Sequence, residues 1–297
     1  MTPELLVAGS IALDRLEGPH GVVEDELGGS ALYFALAASL IMPVHMLAPV
    51  GRETVERLKR VIGSRPVDVS LLDVLDAPTY RWHSQIDGGR NVDLGSRDTI
   101  YDVWEPRPPA DFTGWAFVGS MRPDRQAQAV ARLGGAGLVA ADAMLSYIHA
   151  RPPEAREVLS GSQWYFCNRD EFAALGGSDP QRFREEWGLE GLVLKAGPDG
   201  VIAFVKGAAL HVPAPRSHPV VDTTGAGDAM AAGMLARWLS AGASRRELRD
   251  ALVWGVACAS LTIADIGVRG LAAATHQQLL RRVEEVRADA RRRANPN

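Results

Sequence analysis

Residues 221–228, Val221-Asp222-Thr223-Thr224-Gly225-Ala226-Gly227-Asp228, run straight into Ala229-Met230-Ala231-Ala232-Gly233-Met234-Leu235-Ala236. Two acids and two glycines thus stand at the start of an apolar helix pattern. The first turn of a helix carries backbone N–H groups with no internal partner, and the helix dipole makes that end positive. Gly225, Ala226 and Gly227 have almost no side chain, so an anion can come close to those N–H groups. Asp228 falls in the first turn, beside the anion. A carboxylate there cannot bind an anion, but it can take a proton from a hydroxyl that attacks one. Donors for developing charge next to a base suit phosphoryl transfer. The alternative is structural: the glycines allow tight helix–sheet packing and Asp228 complements the dipole.

The flanking sequence has the rhythm of alternating strands and helices. Leu5–Ser10 is a short apolar run ending in small residues, which predicts a buried strand. Gly28-Gly29-Ser30 opens an alanine-rich segment, Ala31–Ile41, that predicts a buried helix capped by Ser30. Val44–Val50, Trp115–Val118, Gly137–Ala141, Trp164–Cys167 and Gly191–Leu194 predict further strands, and Val201–Val205 with Ala209–Val212 a hairpin around Lys206-Gly207. Helices are expected at about 225–241, 245–265 and 275–293. Such alternation predicts an α/β/α sandwich around a mostly parallel sheet. Two segments break the rhythm. Residues 79–104 mix aromatic, β-branched and polar residues around an Asp87-Gly88-Gly89 turn, and with residues 11–27 they are expected to pair as a small antiparallel sheet inserted in one 1–297 domain.

The bulk properties exclude several classes. The 297 residues suffice for one large α/β domain. A net charge of -4 and 23% charged residues give no electrostatic case for nucleic acid or an anionic membrane. No basic-then-apolar leader and no stretch of membrane-spanning length is expected. Cys167 and Cys258 stand in apolar surroundings without metal-ligand spacing, so a reducing, cytoplasmic setting is the simplest reading.

Val221–Asp228 resembles the second consensus pattern of the PfkB/ribokinase family of carbohydrate kinases, D-[TP]-T-G-A-G-D. Other features follow in the family's order. Gly28-Gly29-Ser30-Ala31 is similar to its N-terminal GG motif, and Ile11-Ala12-Leu13-Asp14 to the early strand that ends in a substrate-binding aspartate. Asn168-Arg169-Asp170-Glu171 resembles NxxE, and Leu194–Gly200 the strand followed by GxxG. Gly28–Phe34 and Tyr80–Trp82 resemble the GGSAxYF and YRW segments of a bacterial subgroup. The fold so implied is ribokinase-like, with the small sheet as a β-lid, and the activity is ATP-dependent phosphorylation of a hydroxyl on a small sugar or polyol.

The resemblance also implies roles. Asp228 is the general base, with the amides of Gly225, Ala226 and Gly227 as the anion hole. Asn168 and Glu171 order Mg²⁺ through water, together with the nucleotide phosphates; their i, i+3 spacing equally suits a capping box. Lys195 reaches the phosphates, and Gly197 and Gly200 shape the turn beneath the nucleotide. Asp222 and Thr224, with carbonyls near 265–267, form a monovalent cation site of the potassium-activated kind, or Asp222 only braces the turn. Asp14, Gly28 and Gly29 match positions that hold the acceptor's hydroxyls, with Tyr33 reshaping that pocket; Arg81 and Asn91 on the lid either reach the substrate or form a solvated lid face. Lid sheets in this family form dimer interfaces, so a homodimer through residues 79–104 is one expectation and a monomer the other.

Two departures bear on the acceptor. The family's GGxxxN places Asn where this chain has Tyr33, and Asp142–Tyr147 stands where the subgroup has DTMNxW, with Leu145 and Tyr147 replacing its polar contacts. These changes leave a nucleoside or inositol kinase as the first rival and a non-catalytic sugar- or nucleotide-sensing protein as the second. A Rossmann dehydrogenase is weak, because Leu6–Ser10 is not followed by GxGxxG.

Overall fold

The computed structural model describes residues 4–87 and 90–294. Gly88 and Gly89 of the expected turn lie outside the described residues, as does the side chain of Asn91. In chain order the strands are β1 (Leu5–Ala8), β2 (Ala12–Gly18), β3 (Gly21–Gly28), β4 (Val44–Gly51), β5 (Val67–Asp68), β6 (Leu72–Leu75), β7 (Tyr80–Asp87), β8 (Arg90–Arg97), β9 (Trp115–Val118), β10 (Leu138–Asp142), β11 (Trp164–Asn168), β12 (Gly191–Lys195), β13 (Val201–Val205) and β14 (Ala208–Val212). The main sheet runs β14-β13-β12-β11-β10-β9-β1-β4-β5, with β6 also on β4. Every pair from β12 to β5 is parallel, and the β12-β13-β14 end is antiparallel.

Successive residues of a strand point to opposite faces, and here both faces are apolar. Leu5 and Val7, Leu138 and Ala140, Trp164 and Phe166 join one core. Leu6 and Ala8, Val139 and Ala141, Tyr165 and Cys167 join the other. The first core is covered by the helices Ser30–Ala38, Ala226–Ser240, Leu248–Thr262 and His276–Ala294. The second is covered by Pro123–Arg132, Pro152–Ser160, Arg169–Ala174 and Pro180–Glu186. The result is the expected three-layer sandwich. A further short helix, Arg269–Ala273, precedes the last one. No helix among the described residues is long and apolar enough to cross a membrane.

The helix after the glycine loop is seated by close approach. A Cβ on Gly233 would lie 2.8 Å from Cys258 Sγ and 2.8 Å from the Trp254 carbonyl of the neighbouring helix. Gly233→Ala therefore forces the two helices apart and is expected to cost about 1–3 kcal/mol. Urea unfolding measures this; an unchanged midpoint would show that the pair is not tightly packed.

The second sheet has the order β3-β2-β7-β8. It joins the two segments that break the rhythm, but β2 and β7 pair in parallel. It also ends earlier than residue 104. After Arg97 the chain enters the helix Ile100–Val103, where Ile100 and Tyr101 are buried in the second core. Trp104 is buried there too, its indole donating to Asp73 at 2.7 Å. These aromatics sit in the second core of the main sheet, where Tyr101 also meets Tyr80 of β7.

Candidate active site

The C-terminal ends of β10, β11 and β12 lie side by side, and each ends on a polar residue: Asp142, Asn168 and Lys195. Asn168 is directly opposite Lys195 in the register. Crevices at the carboxyl ends of parallel strands are where open α/β sheets place ligands.

Asn168 begins the helix Arg169–Ala174 with a complete capping box. Its side chain accepts from the Glu171 amide at 2.9 Å, and Glu171 Oε2 accepts from the Asn168 amide at 2.7 Å. The box fixes Glu171, which is buried. Lys195 Nζ lies 3.9 Å from that same Oε2 and 3.6 Å from Asp142 Oδ2. The capping role and a role toward a ligand are thus compatible in one side chain. The Gly197–Asp199 turn follows Lys195, between Gly197 and Gly200, both at positive φ. Arg169 reaches Asp199 at 3.6 Å, tying that turn to the start of the capped helix.

The glycine loop meets this cluster from the other side. Gly225 takes up left-handed backbone at φ 71 and caps the helix Ala226–Ser240. A Cβ on Gly227 would sit 3.0 Å from Lys195 Nζ. The ammonium therefore lies against the backbone of the glycine loop. Asp228 is half-buried in the first turn, and its Oδ1 has no hydrogen-bond partner among the described residues. Burial, reinforced by Asp142 and Glu171 and opposed by Lys195, pushes its carboxyl well above the ordinary aspartate value. Burial likewise lifts Asp142 to about 7, against the pull of Lys195. Burial works against the charge on Lys195, but Glu171 and Asp142 outweigh it and push the ammonium up. The arrangement brings the first-turn amides, one cation and a carboxylate with an unpartnered oxygen to one corner.

These donors suit a hard divalent cation. Three carboxylates face one ammonium, and Asp142 Oδ1 and Asp228 Oδ1 are buried without partners among the described residues. No set of three or more ligating side chains among the described residues forms a cage of its own. Carboxylate oxygens are the ligand type that Mg²⁺ takes, alongside waters and substrate phosphates.

Asp222 braces the loop. Its Oδ1 accepts from the Thr224 amide at 2.9 Å and the Thr224 hydroxyl at 2.7 Å, and its Oδ2 from the Gly267 amide at 2.9 Å. The 265–267 turn and the glycine loop are thus held together by one carboxylate.

Beyond Tyr33 from the glycine loop, Asp14 is 2% exposed and its Oδ1 is unpartnered among the described residues. Its other oxygen rests against Gly28, where a Cβ would overlap it. Gly29, at φ 98, passes so close to the Ser10 carbonyl that a Cβ would lie within 2.4 Å of it. Tyr33 is 1% exposed and spans the gap between Asp14 and the glycine loop. Its ring lies under Gly225, its Cε2 is 3.5 Å from where a Gly28 Cβ would be, and its hydroxyl is unpartnered among the described residues.

Arg81 is not brought to this cluster. Leu13 pairs with Arg81 and Asp14 with Trp82, so Asp14 and Arg81 point to opposite faces of the lid. Arg81 is ion-paired with Asp25 and lines a surface depression with Arg52 and Arg97. The Asp14 face instead adjoins tyrosines. Tyr80 and Tyr101 have ring centroids 5.9 Å apart, and the Tyr147 hydroxyl donates to Asp98 at 3.5 Å. Sequence reading passes over Asp142 as part of the phosphate-side cluster, and over the Tyr80–Tyr101 pair. Neither has a local spacing signal, because β/α units separate Asp142 from Glu171 and Lys195 and the β7-β8 hairpin separates the two tyrosines.

Known proteins match this architecture. A cytidine kinase of Thermococcus kodakarensis is 26% identical over 248 residues, which cover 78% of this chain and 87% of that one. An ATP-dependent ribose-1-phosphate kinase of Halopiger xanaduensis is 34% identical over 119 residues, 38% of this chain and 36% of that one. Among solved structures, a nucleoside kinase of Methanocaldococcus jannaschii, described as an archaeal member of the ribokinase family, superposes with a TM-score of 0.77 at 19% identity over 95% of this chain and 98% of that one. The model of the pfkB family carbohydrate kinases matches residues 121–274, more than half of the chain, and includes every residue of the cluster from Asp142 to Asp228. The chain belongs to that family and is a phosphotransferase with a hydroxyl acceptor.

Proposed function

We propose that this kinase transfers the terminal phosphoryl group of ATP to a hydroxyl of a small sugar or polyol. The observation that carries the reading is Asp228: a half-buried carboxylate with an unpartnered oxygen, one turn from the Gly225–Gly227 amides and facing the same cluster as Lys195. Asp228 takes the proton of the attacking hydroxyl, while the amides and Lys195 meet the charge on the transferring group. Asn168, Glu171, Gly197 and Gly200 form the nucleotide side, and Asp14 and Tyr33 hold the acceptor. A carboxylate can accept from two vicinal hydroxyls at once. Mg²⁺, when bound with the nucleotide, would neutralise phosphate charge next to Glu171 and Asp142. With ATP as donor the site of action is cytoplasmic. A potassium ion near Asp222 and Thr224 belongs to the same reading, and potassium dependence of turnover checks it. So does a homodimer through the lid, where Val22, Val92 and Leu94 are exposed; sedimentation velocity decides it.

A nucleoside acceptor is the second reading. The tyrosines beside the Asp14 face favour it, since aromatic rings suit a base. The cytidine kinase and nucleoside kinase relatives support it as well. The test is ADP release with Mg-ATP and potassium across sugars, polyols and nucleosides. One acceptor class should stimulate turnover. Confirmed ATP binding with no stimulation by any acceptor would favour a sensing protein instead.

A further inference from the structure

We propose that Asp142 makes nucleotide binding at this site conditional on a divalent cation, by leaving the phosphate-binding corner short of positive charge until the metal arrives with the nucleotide. The inference rests on the kinase reading and gives Asp142, the first residue of the Asp142–Tyr147 segment, a role on the nucleotide side.

The corner is built from four ionisable side chains: Asp142, Glu171, Lys195 and Asp228. Lys195 is the only cation among them, and its Nζ is 3.6 Å from Asp142 and 3.9 Å from Glu171. The same Nζ lies against Gly227, the backbone that receives the phosphoryl group. The positive charge a phosphate would meet there is thus already countered from behind. Asp142 is the closer of the two acids. It is 3% exposed, so water screens it little. Its second oxygen, Oδ1, is buried and has no partner among the described residues. A buried carboxylate oxygen left without a donor is costly. A metal ion or its water, carried in with the phosphates, would satisfy it.

Metal-free ATP brings only negative charge and meets an excess of carboxylates. The metal complex brings a compensating dication. Replacing Asp142 by Asn keeps the shape and removes one negative charge, so it should relieve the repulsion of metal-free ATP. A residue needed only for packing would not change metal dependence in this direction.

The experiment is calorimetric titration of the full chain with ATP, at a pH of about 8, above the value of about 7 to which burial lifts Asp142. It is run with excess Mg²⁺ and with excess EDTA. Wild type should bind the magnesium complex and bind metal-free ATP far more weakly. Asp142→Asn should bind metal-free ATP about tenfold more tightly than wild type does, the scale of one nearby charge. Its gain from Mg²⁺ should shrink by a similar factor. Glu105→Gln, a carboxylate outside the corner, should behave as wild type. Thermal melting checks that each variant is folded, and Asp142→Ser serves as a second neutral variant should the Asn protein fail. Unchanged or weaker metal-free binding in a folded neutral variant overturns the inference and leaves the kinase reading standing. A wild type that binds no nucleotide in either condition overturns both. The readout needs no acceptor and no turnover.

Discussion

Asp228→Asn is expected to lower kcat about a thousandfold, within the span typical of a positioned general base. Nucleotide affinity should change much less, because the amides of Gly225–Gly227 and Lys195 stay in place. The variant should also melt no lower than wild type. Burial and the neighbouring carboxylates raise the Asp228 carboxyl well above its ordinary value. A group with a raised folded pKa stabilises the fold at low pH, and this stability is lost as pH rises through the folded pKa. At neutral pH and above, the ionised form is therefore the costly one, and the neutral amide removes that cost. Catalysis has the opposite pH dependence, since only the ionised base accepts a proton. The acidic limb of kcat/KM should consequently lie above the ordinary carboxylate range, with activity falling as pH drops through the raised value. Stopped assays across pH and a melting curve give all three readouts. Full turnover in the variant would remove Asp228 from the chemistry, and a limb at the ordinary aspartate value would contradict the burial argument.

Much of the fold is legible in the chain because each strand is short, apolar and ended by a polar or small residue. Leu138–Asp142 is shifted by one residue from its expected span, and Trp164–Asn168 starts where expected and runs one residue further. The runs do not reveal which residues face which helix layer, since Leu5 to Ala8 are apolar on both sides. The two short strands Val67–Asp68 and Leu72–Leu75 have no signature of their own and exist through pairing with β4. The lid's end is misjudged at Trp104 because an aromatic residue reads the same on a lid and in a core. The site divides similarly. The glycine loop and the Asn168–Glu171 box are local and readable. Asp142 and Lys195 become partners only when the sheet sets β10 two strands from β12. Arg81 shows the same limit. Its distance from the acceptor side depends on strand parity across a pairing that sequence alone does not number.

Gly225→Ala is expected to damage both the fold and the reaction, and the two effects have separate causes. Gly225 adopts φ 71, a conformation that costs an L-residue about 1–2 kcal/mol. A Cβ there would also overlap the ring of Tyr33, which is buried between the glycine loop and Asp14. Overpacking of that kind adds about 1–3 kcal/mol. Relief comes by moving the loop or the ring. Moving the loop misaligns the amides of Ala226 and Gly227 with the phosphoryl group, and one lost donor of this type costs about a hundredfold in kcat or more. Moving the ring disturbs the acceptor side and raises the acceptor KM. The double variant Gly225→Ala/Tyr33→Ala separates the routes by removing the Cγ, Cδ1 and Cδ2 carbons that the new Cβ would meet. If the clash dominates, it should recover part of the lost stability and kcat relative to Gly225→Ala alone. If backbone strain dominates, the second substitution should restore nothing. A Gly225→Ala protein with wild-type kcat and melting temperature would show that neither the left-handed turn nor its contact with Tyr33 matters to the site.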